Sequence, residues 1–219
     1  MTEVVIAAVV AAIAVYCFLL PTLERLPRYI GWEEEEIGVA SRSTRIPFFR
    51  YGFAALTAGM MGWVVAKYGL GIPSLLVGSL VLTTLSIAWI DLAEHLVPEC
   101  MSIPLLCLGL LASPFCPDVV DRGIGLMVGG SLIWGLMEIM SRVKGQQLQA
   151  GGDVVLAAIC GAWFGFPNVL FALFCAASIF TIMAYANQVL AKEEGFPMGP
   201  AFACAIVGLA VINWWPTFA

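Results

Sequence analysis

The sequence has the composition of a membrane protein. Of its 219 residues, 61% are hydrophobic and 11% are charged, and the net charge is −5 at pH 7, whereas soluble domains have roughly 45–50% apolar and about 25% charged residues. These values exclude a soluble domain, and no basic patch supports nucleic-acid binding. We therefore predict an all-α, polytopic helix bundle that is embedded in the lipid bilayer and binds no nucleic acid.

The first apolar run, residues 4–20, is predicted to be a retained membrane span. Glu3 precedes it and the basic residues follow it, which is the wrong polarity for a signal peptide. Pro and Gly breakers separate the later apolar runs, and about 20 residues cross a bilayer. The chain is thus predicted to form about eight transmembrane helices, at 4–20, 51–70, 73–90, 101–116, 124–141, 153–165, 168–187 and 199–215. The short run at 153–165 is expected to be tilted or sheltered by its neighbours.

The distribution of Lys and Arg predicts how the chain crosses the membrane. The segments after the first, third, fifth and seventh spans hold eight of these residues, and the opposite side holds only Lys67 and Arg122. Cytoplasmic loops carry the excess of positive charge. Both termini are therefore predicted outside, and the long polar segment 21–50 is predicted to be a cytoplasmic loop of a single membrane domain, 1–219.

Small residues and cysteines are expected to serve packing. The stretches "VGGS" at 128–131 and "AAICGA" at 157–162 are typical of helices that approach each other closely. The seven cysteines are scattered, and none forms a CxxC pair. We interpret them as small, buried apolar residues rather than as metal or disulfide sites.

Two aspartates are predicted to meet at the cytoplasmic face. Asp91 lies where the third span leaves the membrane in "SIAWIDLAEHLVPE", and Asp153 begins the sixth span from the same side. Two carboxyl groups within hydrogen-bonding reach share a proton, so one acts as a base while the other acts as an acid. Such a pair can activate a water against an amide, and Gly151 and Gly152 would allow a substrate strand to approach the backbone.

Other interpretations of these acids remain open from the residues alone. Acids at span ends are often solvated boundary residues, and a carboxylate at a helix N-terminus, such as Asp153, is stabilised by capping or by the helix dipole. The residues by themselves indicate a two-aspartate membrane site, either of a protease or of an ion pathway.

Three segments resemble the type IV prepilin peptidases, a family of GxGD-type membrane aspartic proteases. They are "IDLAEHLVPECMSIPLLCLGLL" at 90–111, "AGGDVVLAAICGAWFG" at 150–165 and "GFPMGPAFA" at 195–203. The first matches the family's Asp seven residues before a Pro, the second its GxGD signature, and the third its late Pro-Phe-Gly-Pro segment. The segments follow the family's order with similar separations.

The resemblance implies the site, the substrate and the location. Asp91 and Asp153 would be the catalytic dyad, and we assign Gly151, Gly152, Pro98 and Glu99 to substrate binding. The substrate would be a prepilin or pseudopilin whose short basic leader is removed at the cytoplasmic face of a bacterial inner membrane. The reaction would need no cofactor and no metal. The resemblance implies no oligomeric state.

The sequence departs from the family at three places. Ala150 replaces the first glycine of GxGD, and Val155 stands where many members have lysine. The segment 21–50 contains no cysteine, although many bacterial members carry two CxxC pairs there. The resemblance therefore implies neither zinc binding nor N-methyltransferase activity, as in the peptidase-only members of conjugative or type IVb pilus systems.

The remaining charged residues are predicted to have ordinary structural roles. Glu138 is expected to pair with Arg142 one turn later, and His95 to be an interfacial residue. Glu33–Glu36 are expected to be a solvated loop, with electrostatic attraction of a basic leader as the alternative. Two other functional classes stay open: an ion- or proton-coupled transporter, and a non-catalytic subunit of a pilus or secretion system.

Overall fold

The computed structural model describes residues 47–145, 151–190 and 197–212, which form seven α-helices and no β-strand. This confirms the all-α prediction for the described residues. The helices are α1 (Pro47–Tyr68), α2 (Ile72–Glu94), α3 (Glu99–Ala112), α4 (Val119–Lys144), α5 (Gly151–Phe164), α6 (Asn168–Leu190) and α7 (Gly199–Ile212). Each coincides with one predicted run. The predicted span 4–20, Glu33–Glu36, Ala150 and Cys17 lie outside the described residues.

Three of these helices are long and apolar enough to cross a membrane: Ile72–Ala93, Val119–Lys144 and Asn168–Val189. The helices α3, α5 and α7 have 14 residues each and are therefore about 21 Å long, against a hydrocarbon core of about 30 Å. The prediction of an integral membrane protein agrees with these helices, while the number of eight spans stays a prediction. Several predicted bounds were wrong by a few residues; α1, for example, already begins at Pro47, inside the predicted loop 21–50.

The chain divides into two compact units, residues 1–96 and 97–219. In the first unit, α1 and α2 form an antiparallel hairpin. Gly69 takes a left-handed conformation (φ 68°) and donates its N–H to the Val65 carbonyl, which ends α1. At the other end of the hairpin, the rings of Phe53 and Trp89 pack with centroids 4.8 Å apart. This packing fixes the end of the hairpin near Asp91.

In the second unit, α5 is the central helix. It packs against α3, α4, α6 and α7, and every residue from Leu156 to Phe164 is buried. By contrast, α4 and α6 expose large apolar side chains such as Trp134 and Phe174, as expected for helices that face lipid. The prediction that the short run at 153–165 is sheltered by its neighbours is therefore confirmed.

The closest approach in this unit is between α4 and α5. A Cβ atom at Gly125 would lie 2.6 Å from the Gly161 carbonyl oxygen, and one at Gly129 would lie 2.5 Å from the Ala157 carbonyl oxygen. The two helices thus touch through their backbones, with small residues spaced by four on both. The predicted packing function of the small residues at 128–131 and 157–162 is confirmed.

Buried hydrogen bonds join α3 and α5 away from Asp153. The Trp163 indole N–H donates to the Leu105 carbonyl oxygen at 2.9 Å, and the Ser113 hydroxyl donates to the Trp163 carbonyl oxygen. The indole also occupies the space beside Gly109, where any Cβ atom would collide with it. The ends of α3 and α5 are therefore held in a fixed register.

Arg122, in the first turns of α4, is buried with 5% of its surface exposed. Its guanidinium donates to the carbonyl oxygens of Gly109, Pro117 and Asp118 at 3.3–3.4 Å. A cation at this place interacts favourably with the C-terminal carbonyl groups of α3. Arg122 therefore ties the end of α3 to the start of α4.

Arg122→Ala is expected to destabilise the protein by about 2–3 kcal/mol, because it leaves buried carbonyl groups without their charged donor. The matched control is Arg142→Ala on the same helix. Arg142 forms the predicted pair with Glu138 at 2.8 Å, but its side chain is 78% exposed, so the loss should be only about 0.3–0.5 kcal/mol. Thermal unfolding of the detergent-solubilised variants measures both losses of stability. Equal shifts of the unfolding midpoint would contradict the role of Arg122 in joining α3 to α4.

The cysteine prediction is only partly correct. The six described cysteines are all free, as expected from their scattered positions. Cys116 and Cys160 are buried, but Cys100, Cys107 and Cys204 are exposed. The expectation of burial was wrong for these three, because burial depends on which face of a helix meets a neighbouring helix, and scattered sequence positions do not report this.

Candidate active site

Asp91 lies inside α2, in the last turn of the helix. The sequence placed it just beyond a span that ended at residue 90, whereas the helix continues to Glu94. His95 then takes a left-handed conformation (φ 54°) and donates its N–H to the Asp91 carbonyl oxygen at 2.9 Å, which ends the helix. With 6% of its surface exposed, Asp91 is buried rather than a solvated boundary residue.

The face of α2 that carries Asp91 holds a second buried polar residue. Thr84 precedes Asp91 by seven residues, which is two helical turns, and is 1% exposed. Within the part of the chain that the structure describes, its hydroxyl has no hydrogen-bond partner. A buried hydroxyl group without a partner lowers stability, so Thr84 adds a second polar group to the apolar surroundings of Asp91.

Asp153 lies in the first turn of α5, which begins at Gly151. The sequence-based placement at a helix N-terminus is confirmed. Its side chain is half-buried, and the N-terminal N–H groups of a helix favour a neighbouring carboxylate. From Leu156 onward the helix is enclosed, so the carboxylate sits at the accessible end of an otherwise buried helix.

Pro98 and Glu99 begin α3. Pro98 is buried at the N-cap position with φ −69°, and its carbonyl oxygen accepts the N–H groups of Met101 and Ser102. Glu99 is exposed in the first turn. The proline thus starts the helix, while the glutamate side chain remains accessible.

The structure brings the start of α3 next to the start of α5. The Val97 side chain, directly before Pro98, lies against Gly152, directly before Asp153: a Cβ atom at 152 would be 2.7 Å from Val97 Cγ2. Gly151 is exposed and has open space around it. Pro98, Glu99, Gly151 and Gly152 therefore share one end of the second unit with Asp153, and their assignment to substrate binding stays a prediction.

Sequence reasoning missed Val97. A valine before a proline carries no chemical signal, and only its contact with Gly152 reveals its position beside the Asp153 turn. Asp91 belongs to the first compact unit and Asp153 to the second, so the pairing of their carboxyl groups stays a prediction. Among the described residues, no group of three or more His, Cys, Asp and Glu side chains is arranged to hold a metal ion.

The chain is similar to bacterial proteins named prepilin leader peptidase/N-methyltransferase. It is 31% identical to that of Neisseria gonorrhoeae over 192 residues, 81% of this chain and 65% of that protein. The protein of Stutzerimonas stutzeri is 27% identical over 75% of this chain and 58% of its own length. The protein of Aeromonas salmonicida is 31% identical over 75% of this chain and 58% of its own length. The chain thus spans about three fifths of the length of the relatives it matches.

No solved structure matches the chain. The sequence model of the Type IV leader peptidase family matches residues 76–185, which is half of the chain. The matched region contains both aspartates and the whole of α3 and α5. This agrees with the resemblance of the segments at 90–111 and 150–165, and the chain belongs to the Type IV leader peptidase family.

Proposed function

We propose that this protein is a membrane aspartic endopeptidase that removes the short basic leader from type IV prepilin-like or pseudopilin substrates. The observation that carries the proposal is the family match over residues 76–185, which includes Asp91 and Asp153. The names of the relatives supply the substrate class. The proposal covers the peptidase reaction alone, because the segment 21–50 lacks the cysteine pairs of the bifunctional members.

In this proposal, Asp91 and Asp153 share one proton and activate a water molecule. One carboxylate removes a proton from the water as it attacks the carbonyl carbon of the scissile peptide, and the other protonates the departing amine. Asp91 lies in the last turn of α2 and Asp153 in the first turn of α5. The scissile segment of the substrate must be unwound, because a helical backbone leaves no room for attack on its carbonyl carbon. No covalent intermediate is needed.

The proposed location follows from the distribution of charge. A prepilin-like substrate presents its basic leader in the cytoplasm and an apolar helix in the membrane, so the cut lies at the cytoplasmic boundary. The positive-inside rule assigns that side to the end of the span carrying Asp91 and to the start of the span carrying Asp153. We propose an eight-span protein of the bacterial inner membrane with both termini outside.

Cleavage by the purified, detergent-solubilised chain tests this function. We expect it to cut a purified prepilin once, between the leader and the apolar segment, with the products identified by mass spectrometry. The control is the Asp91→Asn/Asp153→Asn chain, which should release no product. In detergent no ion gradient or assembly machinery is present, so absence of cleavage by the wild type would overturn the proposal and leave a transporter or an assembly subunit.

A further inference from the structure

The contact between Val97 and Gly152 explains the glycine directly before Asp153. A Cβ atom at position 152 would lie 2.7 Å from Val97 Cγ2 and 2.8 Å from Val97 Cβ. Both distances are shorter than Cβ contacts in real proteins. One contact atom is the Cβ itself, which rotation of the side chain does not move, and the β-branched valine is stiff at χ1. A side chain at 152 is therefore excluded unless the backbone shifts.

The backbone on the Val97 side is itself constrained. Val97 precedes Pro98, and the residue before a proline is restricted to extended conformations. Pro98 is buried at the start of α3 with φ −69°, and α3 is tied to α5 again by the Trp163–Leu105 hydrogen bond. The position of the Val97 side chain is thus constrained by Pro98 and by the attachment of α3 to α5.

On the other side of the contact, α5 transmits any displacement to Asp153. Gly152 and Asp153 are consecutive residues of the first helical turn. The helix beyond them is buried from Leu156 to Phe164 and offers little room for adjustment. A shift at Gly152 is therefore expected to rotate or translate the turn that carries the Asp153 carboxylate.

We propose that Val97 is a positioning residue for the reaction: its side chain, seated on Gly152, sets the depth and rotation of the first turn of α5. This inference rests on the proposed function. It differs from the prediction that Gly152 admits a substrate strand, because here the space beside Gly152 is filled by the protein. A misplacement of about 1 Å in a catalytic group can lower the rate by about 100-fold.

A rescue experiment on leader cleavage tests the inference, with kcat and KM measured separately. We expect Gly152→Ala to lower kcat by about 10- to 100-fold with little change in KM, because the substrate is bound as before and the carboxylate is displaced. Val97→Gly alone should lower kcat, because the first turn of α5 loses the side chain on which it is seated, and wild-type kcat in this variant would overturn the inference. In the Val97→Gly chain, Gly152→Ala should cause almost no further loss of kcat. In a Val97→Ala chain it should still be harmful, because the Cβ at 97 remains.

The helical control is Gly208→Ala in α7, where no atom lies within 4 Å of a new Cβ and kcat and KM should stay at wild-type values. A higher KM for Gly152→Ala that Val97→Gly does not restore would mean direct substrate contact at 152, and would overturn the inference. Wild-type kcat in Gly152→Ala would overturn it as well.

Folding is followed in the same chains by thermal unfolding. If Gly152→Ala fails to fold, the Gly152→Ala/Val97→Gly chain must fold and cleave at the rate of Val97→Gly, and a double variant that remains unfolded or inactive overturns the inference. These outcomes presuppose an active wild type. If the wild-type chain does not cleave the substrate, the proposed function is wrong. If the wild type is active but the effects on kcat of the substitutions at 97 and 152 are independent, only this inference is wrong.

Discussion

Asparagine in place of Asp91 or of Asp153 is expected to lower the rate of leader cleavage by about 10²–10⁴-fold, the usual contribution of a general acid or base. The amide has nearly the volume of the carboxyl group, so packing around the buried Asp91 should be retained. It neither accepts the proton of the attacking water nor supplies one to the leaving amine. The loss should appear in kcat, with substrate still bound.

The double variant provides a sharper result than either single one. If the two acids act as a unit, Asp91→Asn/Asp153→Asn should lose no more activity than the worse single variant, since groups that act together are strongly non-additive. Rates should be measured on purified chains with matched thermal unfolding. Asp121→Asn, in the first turn of α4 and at the opposite end of the second unit from Asp153, is the control and should remain active.

Two outcomes would contradict the dyad. More than a tenth of the wild-type rate in either single variant would show that this carboxyl group does not take part in proton transfer. Losses that multiply in the double variant would show two independent roles, as expected for separate binding residues rather than for a shared proton.

Alanine in place of Gly125 is expected to destabilise the protein by about 3 kcal/mol or more, the upper range for overpacking a well-packed interior. Its Cβ atom would lie 2.6 Å from the Gly161 carbonyl oxygen and 2.8 Å from the Gly165 carbonyl carbon. Because these contacts are with backbone, no change of rotamer relieves them. The two helices must move apart, and their packing along the whole of α5 is then lost.

Gly135→Ala on the same helix is the matched control. No atom lies within 4 Å of a Cβ atom at position 135, and alanine is the better helix former by up to about 1 kcal/mol. We expect the control to be neutral or slightly stabilising in thermal unfolding of the purified protein, while Gly125→Ala lowers the midpoint strongly or prevents purification. Similar midpoints for the two variants would disprove the close packing of α4 against α5.

The apolar runs identified the helices correctly but not their ends. The run ending at residue 90 stopped at Asp91 because hydropathy responds to the charged side chains at 91 and 94. The helix itself continues until a left-handed residue, His95, ends it. Helix ends depend on backbone conformation and capping, which hydropathy does not report. Packing around this last turn of α2, and not the hydropathy of the run, leaves Asp91 only 6% exposed.

The sequence alone determined the all-α class, the approximate positions of the seven described helices, the small-residue packing of α4 against α5 and the family. Apolar runs, breakers and motif spacing are local properties of the chain. The tertiary structure decided which side chains are buried and which residues from different helices are in contact. Cys100 and Cys107 face outward, Arg122 is buried among carbonyl groups, and Val97 fills the space beside Gly152. Val97 and Gly152 are far apart in sequence and meet only when the helices pack, so the local sequence does not predict their contact.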